Sequence, residues 1–462
     1  MMNAPQQSIL AARAPAKARA AALSMNNPTA ARIVETWLAS LVGKGWQALS
    51  QHPDPETRRA LNSEFEGLML ALLPVAVRAL VRDGESFIRT SVGLGSPDGS
   101  RQAAFHGFSL PADQIDPSLT RDLGNGARII AGIEFDAGDR ILAYHILPDA
   151  PGTPFGMVGQ AVRVPAQEVL HIFDQLFPGQ VRGISWLAPI LLKLADFDAA
   201  SDAMLMTLKV QSLMTGFVRD AEGGTAGFES TDGSLNVSLE PGAMRVLPFG
   251  ADVEFSQPGQ GLSQAVEFVK GQQREIAVGV GLTYEQVTGD LSGTNYSSAR
   301  VGLLEFRRRA EMLQRSLIEA QLLRPLWRRW IDAKALAGEI GASESELSDH
   351  RAVKFVAPGW QWVDPLKEAN SDIRAIEAGL KSRAEVVAGR GRDIEELDEE
   401  IAALRKLIAR YSSVPMALAD ACLVRLSEIH EQCTVWTIDS NFTIYRRNGR
   451  RQIPLLMPPA KD

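Results

Sequence analysis

The residues that could carry chemistry are scattered along this chain. Its six histidines, His52, His106, His145, His171, His350 and His430, fall at no metal-ligand spacing such as HExxH. Each reads as an ordinary core or surface histidine. The two cysteines, Cys422 and Cys433, are too few for a disulfide framework or a cysteine-rich zinc site. The acidic run from Glu395 to Glu400 is accounted for by helix N-terminal electrostatics or solvation. No nucleophile with its base, no P-loop and no complete metal constellation stands out, so neither a catalytic centre nor a cofactor is expected. Arginine is the residue that does concentrate. Arg300, Arg307, Arg308, Arg309, Arg315, Arg324, Arg328 and Arg329 lie in one segment, and Arg446, Arg447, Arg450 and Arg451 lie near the end. The second group could touch nucleic acid, but a solvated charge cluster is the simpler reading.

Composition narrows the partners. The chain has 462 residues, a length that accommodates two or three domains with a sizeable core. Its net charge of -7 gives no bulk attraction to nucleic acid, so any DNA contact must be local or transient. The most apolar run, Leu68 to Val81, contains Pro74 and Arg78 and is too short to cross a bilayer. The opening to Ala22 lacks the uninterrupted apolar stretch of a cleaved signal. The expectation is a chain that stays in the cytoplasm until assembled, with no membrane partner.

The first arginine group sits on a long helix. From Leu303 apolar residues recur in steps of three and four, through Phe306, Ala310, Leu313, Leu317, Ala320, Leu323, Trp327 and Trp330. Asn295, Ser297 or Ser298 could cap its start, and Pro325 should kink or interrupt it. Spacing alone describes an ordinary core helix with solvated arginines. Upstream, Gly281, Gly289 and Gly293 read as an irregular loop. Residues 1–22 are low in complexity, flexible or an amphipathic helix. Asn27-Pro28 opens a helix with Ile33, Trp37 and Leu41 on one face. Pro55 to Gly84 reads as two helices, Glu85 to Ser91 and Val162 to Val164 as strands, and Ala127 to Phe135 with Arg140 to Ile146 as a hairpin. A long helix covers Pro189 to Phe217, and short strands follow at Leu235 to Leu239 and Met244 to Pro248. A further helix spans Leu262 to Gly279. Met204, Met206 and Met214 suit core filling or a subunit contact.

Three blocks carry a family resemblance. Leu282-Thr283, Thr288-Gly289-Asp290 and the string Asn295 to Arg300 resemble the signature of lambda-family phage portal proteins. Val169 to Phe173, Pro178 to Gly183 and Trp186 to Pro189 are similar to a second block of that family. Trp360, Trp362, Asp364-Pro365, Lys367-Glu368 and Gly391-Arg392-Asp393 resemble its C-terminal block. The resemblance implies an α+β subunit with a mixed α/β wing, long stem and channel helices and a small β-containing clip. Its parts would be a flexible segment over 1–23, the wing over 24–188 and stem helices over 189–280 with a clip candidate at 219–258. The channel loop and long helix would occupy 281–342 and a C-terminal portal region 343–402. It implies a dodecameric ring at a capsid vertex of the virion, assembled in the bacterial cytoplasm. Its partners would be terminase, capsid and head-completion proteins, and double-stranded DNA passing without sequence specificity. Thr294, Asn295, Tyr296, Ser297, Ser298 and Arg300 are the loop or channel candidates.

A second resemblance covers 403–462. Tyr411, Pro415-Met416, Leu418 to Ala421, Thr437, Asp439, Phe442 and Tyr445 to Arg447 are similar to the C-terminal part of PIN-domain toxin ribonucleases. Asp420 and Asp439 would stand for two of the metal-holding acids of that family. Asn441 replaces a third, and the first half of a PIN domain is absent, so the implied tail is a truncated α/β fragment with a degenerate metal site. Metal-dependent ribonuclease activity in this tail, or a decayed prophage fusion, are the alternatives to a portal subunit.

Overall fold

The computed structural model describes residues 5–94, 103–157, 159–212, 216–220, 251–255, 262–293, 295–360, 365–414, 416–430 and 432–457. It is a mixed α+β chain of long helices and small sheets. Two compact units form: Met1–Val42 with Leu70–Leu347, and Gly43–Met69 with Ser348–Asp462. The second is therefore built from two stretches far apart in the chain, which cuts across the contiguous blocks read from the sequence.

In the first unit, Pro5–Asn26 is a helix with Arg13 and Ala20 buried. The helix Pro28–Val42 buries Ile33, Trp37 and Leu41 as its spacing predicts. Pro55–Asp83, which the division into units cuts after Met69, is one helix rather than two, with Pro74 inside it. The bond lost at Pro74 is outweighed because Leu72, Leu73, Ala76, Val77 and Leu80 around it are all buried. Strand Glu85–Leu94 is central to a three-stranded antiparallel sheet, between Ala103–Leu110 and Val169–Phe173.

A five-stranded antiparallel meander follows, from Arg121–Gly124 to Val162–Pro165. Here the segment from Ala127 to Phe135 is two strands, Ala127–Ile130 and Ile133–Phe135, because the chain reverses at Ala131 and Gly132. Both have positive φ, 47° and 81°, as a two-residue hairpin turn requires. Phe87, Ile115, Ile133, Tyr144, Ile146 and Val164 form the core between these sheets.

The long helix runs as Tyr296–Leu313, a π-helical stretch Gln314–Leu323, and Arg324–Ala337. Pro325 lies just after the wide turns, where i→i+5 bonding accommodates a proline's missing donor and ring. The wider turns also rotate the buried face. Phe306, Ala310, Leu313, Leu317, Leu323, Trp327 and Trp330 are buried as the stripe predicts, but Ala320 is exposed, and Ile318, Leu322 and Leu326 are buried instead. Of the clip candidate, only an antiparallel pair, Gly216–Asp220 with Ala251–Phe255, is described. The strands read at 235–239 and 244–248 lie outside the described residues, as do Trp362 and Asp364.

In the second unit, Gln47–Ser50 pairs antiparallel with Val353–Val356, and Phe65 packs on Phe355. Helix Ile394–Arg410 begins with Asp393 accepting the Glu395 N–H, and its acidic face pairs Glu395 with Arg58 and Glu399 with Arg59. After helix Leu418–Ile429, Val435–Trp436 pairs parallel with Leu455–Leu456. Val424, Val435, Phe442, Tyr445 and Ile453 form the core of the tail, and Leu407 joins them. That core therefore begins inside helix Ile394–Arg410.

The rotated face gives a direct test. Ala320→Glu should change stability by no more than about 0.5 kcal/mol, whereas Leu322→Ala should cost about 2–5 kcal/mol. Chemical denaturation of the full chain measures both; equal losses would contradict the π-helical register.

Candidate functional site

Two places gather the residues that the sequence singles out: the turn from Pro178 to Gly183, and the loop running from Gly281 into the helix at Tyr296. At the first, Gly179 has φ 81° and turns the chain. The Gln180 side chain then braces the turn by accepting the Leu176 N–H at 2.7 Å and donating to the Arg182 carbonyl at 2.9 Å. Gly183 passes so close to Gly84 that a Cβ on it would lie 2.2 Å from the Gly84 carbonyl oxygen. Only glycine fits there.

This close approach delivers Arg182 to Glu85, and both are fully buried. Arg182 donates from Nε to both carboxylate oxygens, at 3.1 and 3.0 Å, and from Nη2 to Oε1 at 2.7 Å. Arg13 of the first helix donates to the same Oε1, from Nε at 3.0 Å and from Nη2. The Gly183 N–H reaches Oε2 at 2.9 Å, and His171 Nε2 lies 3.2 Å from it. A carboxylate only accepts, so His171 is held as the Nε2–H tautomer. The remaining Arg182 donors take the carbonyls of Ala131 at 2.6 Å and Ala112 at 2.9 Å. The strained hairpin turn, the central strand, the signature turn and the first helix are thus fastened to one carboxylate.

Burial alone would raise the Glu85 pKa, but Arg182, His171 and Arg13 reverse this and hold it well below the usual carboxylate value. Burial lowers the His171 pKa, against the opposing pull of Glu85. Glu85 and Arg13 were not among the residues singled out by motif. The available signal was an acid directly after a glycine at the head of an apolar strand, Gly84-Glu85-Ser86-Phe87-Ile88.

The loop is more ordered than its glycines suggest. Leu282 is buried, and Thr283 begins a short helix, Tyr284–Thr288, through a capping box with Gln286. Gly289, at φ 73°, ends it. Asp290 then accepts the Ser292 N–H at 2.9 Å and the Tyr284 hydroxyl at 3.2 Å, while Arg274 lies over the Tyr284 ring. A Cβ on Gly281 would strike the Arg309 guanidinium, which also lies over Trp37. Asn295 is exposed, and its carbonyl accepts the Ala299 N–H at 3.0 Å, the first bond of the long helix. Arg300 is half-buried. Thr294 and the side chains of Tyr296, Ser297 and Ser298 lie outside the described residues. Asn295 and Arg300 therefore stand at the head of one helix, and they are not joined to the Glu85 cluster.

Both places lie within the stretch that a family model matches. The model for phage portal proteins of the lambda family matches residues 2–314. The chain belongs to that family. It is similar to the probable portal protein of Halomonas phage phiHAP-1, with 25% identity over 374 residues, 76% of this chain and 70% of the relative. Portal protein B of Escherichia phage lambda is 23% identical over 466 residues, covering 86% and 85%. The portal protein of Escherichia phage N15 is 22% identical over 315 residues, covering 61% and 59%. A chain in the neck of the native GTA particle, computed with C12 symmetry, aligns over 80% of this chain and 93% of its own at 16% identity, with a TM-score of 0.43. As a lambda-family portal chain, it is a structural portal subunit.

The tail acids have local work. Asp420 accepts the Ala417 N–H at 2.9 Å, and Asp439 the Asn441 N–H at 2.9 Å. Among the described residues no group of three metal-ligating side chains forms.

Glu85→Gln leaves two buried arginines without their carboxylate and should cost about 3–5 kcal/mol in urea unfolding near neutral pH. The pH dependence follows from the two depressed pKa values. The His171 contribution is complete above its unfolded value of about 6.5 and is lost as pH falls towards the lower folded value. Loss of the Glu85 contribution begins only below its unfolded value of about 4.3. His171→Gln should remove the first decline and leave the second; an unchanged profile would contradict the assignment.

Proposed function

We propose that the chain forms a dodecameric ring at one capsid vertex and gives double-stranded DNA a channel for packaging and ejection. The observation carrying this reading is the family match over residues 2–314, which takes in both signature blocks. Terminase, the capsid protein and head-completion proteins are the proposed partners, with the virion portal vertex as its place and the bacterial cytoplasm as the site of assembly. The reading is structural rather than catalytic, and needs no cofactor.

Within the ring, residues 24–188 are the proposed wing, 189–280 the stem with its clip at 219–258, and 281–342 the channel loop and helix. Thr294, Asn295, Tyr296, Ser297, Ser298 and Arg300 are the candidate loop and channel residues, and 343–402 is the proposed C-terminal portal region. A net charge of -7 supports a channel that lets DNA pass, since strong phosphate neutralisation would oppose movement.

For the tail, the reading as a PIN-like fragment rests on the sequence resemblance over 403–462 alone. With Asn441 in place of a third acid, the fragment is read as one without nuclease activity.

Negative-stain electron microscopy of the full chain, beside a version ending at Ala402, tests the reading. Rings with a central opening from both are expected. Rings only after truncation would make the tail an assembly block, and monomers from both would overturn the portal function in favour of a decayed gene product.

A further inference from the structure

Two exposed helical stripes in the first unit have no covering partner among the described residues. On helix Leu191–Ser212, the exposed residues Leu192, Ala195, Asp196, Ala199, Asp202, Ala203 and Met206 recur in steps of about one turn. Along the long helix, Val301, Leu304, Arg308, Met312 and Arg315 do the same. Large apolar side chains stand open on both: Leu192 is 69% exposed and Met206 63%, Val301 67% and Met312 57%. Single exposed apolar residues need no explanation, but a repeating line of them on a helix face does.

The charges aligned on the two stripes are opposite in sign, acidic at Asp196 and Asp202 and basic at Arg308 and Arg315, where exposed Glu305 and Glu311 flank the arginines. Asp196 and Asp202 are separated by roughly 9 Å along their helix, and Arg308 and Arg315 by roughly 10 Å, at about 1.5 Å per residue. Among the described residues, none of the four charges has an ion-pair partner. Neighbouring charges are engaged within the chain: Asp198 accepts two hydrogen bonds from Asn27, Arg309 lies over Trp37, Arg324 pairs with Glu319, and Arg329 donates to Thr90 and two carbonyls. The two helices also pack on different neighbours. Leu191–Ser212 packs on Leu262–Val280 and on the first helix, whereas Tyr296–Leu313 packs on Pro28–Val42.

We infer that the two stripes are the two halves of one contact between copies of this chain, the Asp196/Asp202 stripe of one subunit seated on the Arg308/Arg315 stripe of the next. A contact between two different surfaces of the same chain is heterologous, and such contacts give a ring when the rotation between neighbours closes. Apolar residues interleaved with the charges supply the burial, and the charges set register and direction. This inference rests on the ring reading above and names the surface that closes it.

Native mass spectrometry and electron microscopy of the full chain test it. Arg308→Glu with Arg315→Glu, or Asp196→Lys with Asp202→Lys, places like charges across the contact and should reduce rings at least about tenfold at equal concentration. All four substitutions in one chain should restore them, which also shows that loss in the paired variants is not misfolding. Wild-type rings that persist in both paired variants, or a fourfold variant that stays dissociated, would overturn the inference while leaving the ring reading intact. A wild-type chain that forms no ring would overturn both.

Discussion

Glu85 is the constraint around which the first unit is arranged. A fully buried carboxylate is tolerable only when its lone pairs are filled and its charge is opposed. Here two arginines, a histidine and a backbone N–H do so together. The donors come from three parts of the chain: the helix at Pro5–Asn26, the strand at Val169–Phe173 and the turn that carries Arg182 and Gly183. The penalty for losing any one of them ties the helix at Pro5–Asn26, the turn at Pro178 to Gly183 and the hairpin turn at Ala131 to a common point. The two arginines bring more charge than one carboxylate cancels, and the carbonyls of Ala112 and Ala131 take up the excess donors.

This changes the meaning of the Pro-Gly-Gln-x-Arg-Gly block. Its proline and first glycine turn the chain, its glutamine braces the turn, its arginine reaches Glu85, and its last glycine allows two backbones to touch. None of these roles is catalytic. A motif can be specific to a structural family because the geometry of one buried charge leaves few alternatives at each position.

The long helix shows a second kind of constraint. Its arginines looked interchangeable as a solvated basic face, yet they divide by environment into a ring-stacking cation, an ion pair, a brace on the sheet and exposed charges. The π-helical turns before Pro325 help make this division, because they rotate successive side chains relative to an ideal helix.

Local pattern was enough to read the strand that begins at Glu85, the helix at Pro28–Val42, most of the buried stripe on the long helix and the order in which the signature blocks occur. Those features depend on side-chain periodicity and on turn residues, which are written in neighbouring positions. Tertiary structure alone decided that Pro55–Asp83 stays one helix and that Ala320 faces outward. It also decided that Arg13, Glu85, His171 and Arg182 meet. These outcomes turn on contacts between residues distant in the chain, where burial outweighs a proline's lost bond and a paired charge becomes possible in the interior, and no local spacing encodes that balance.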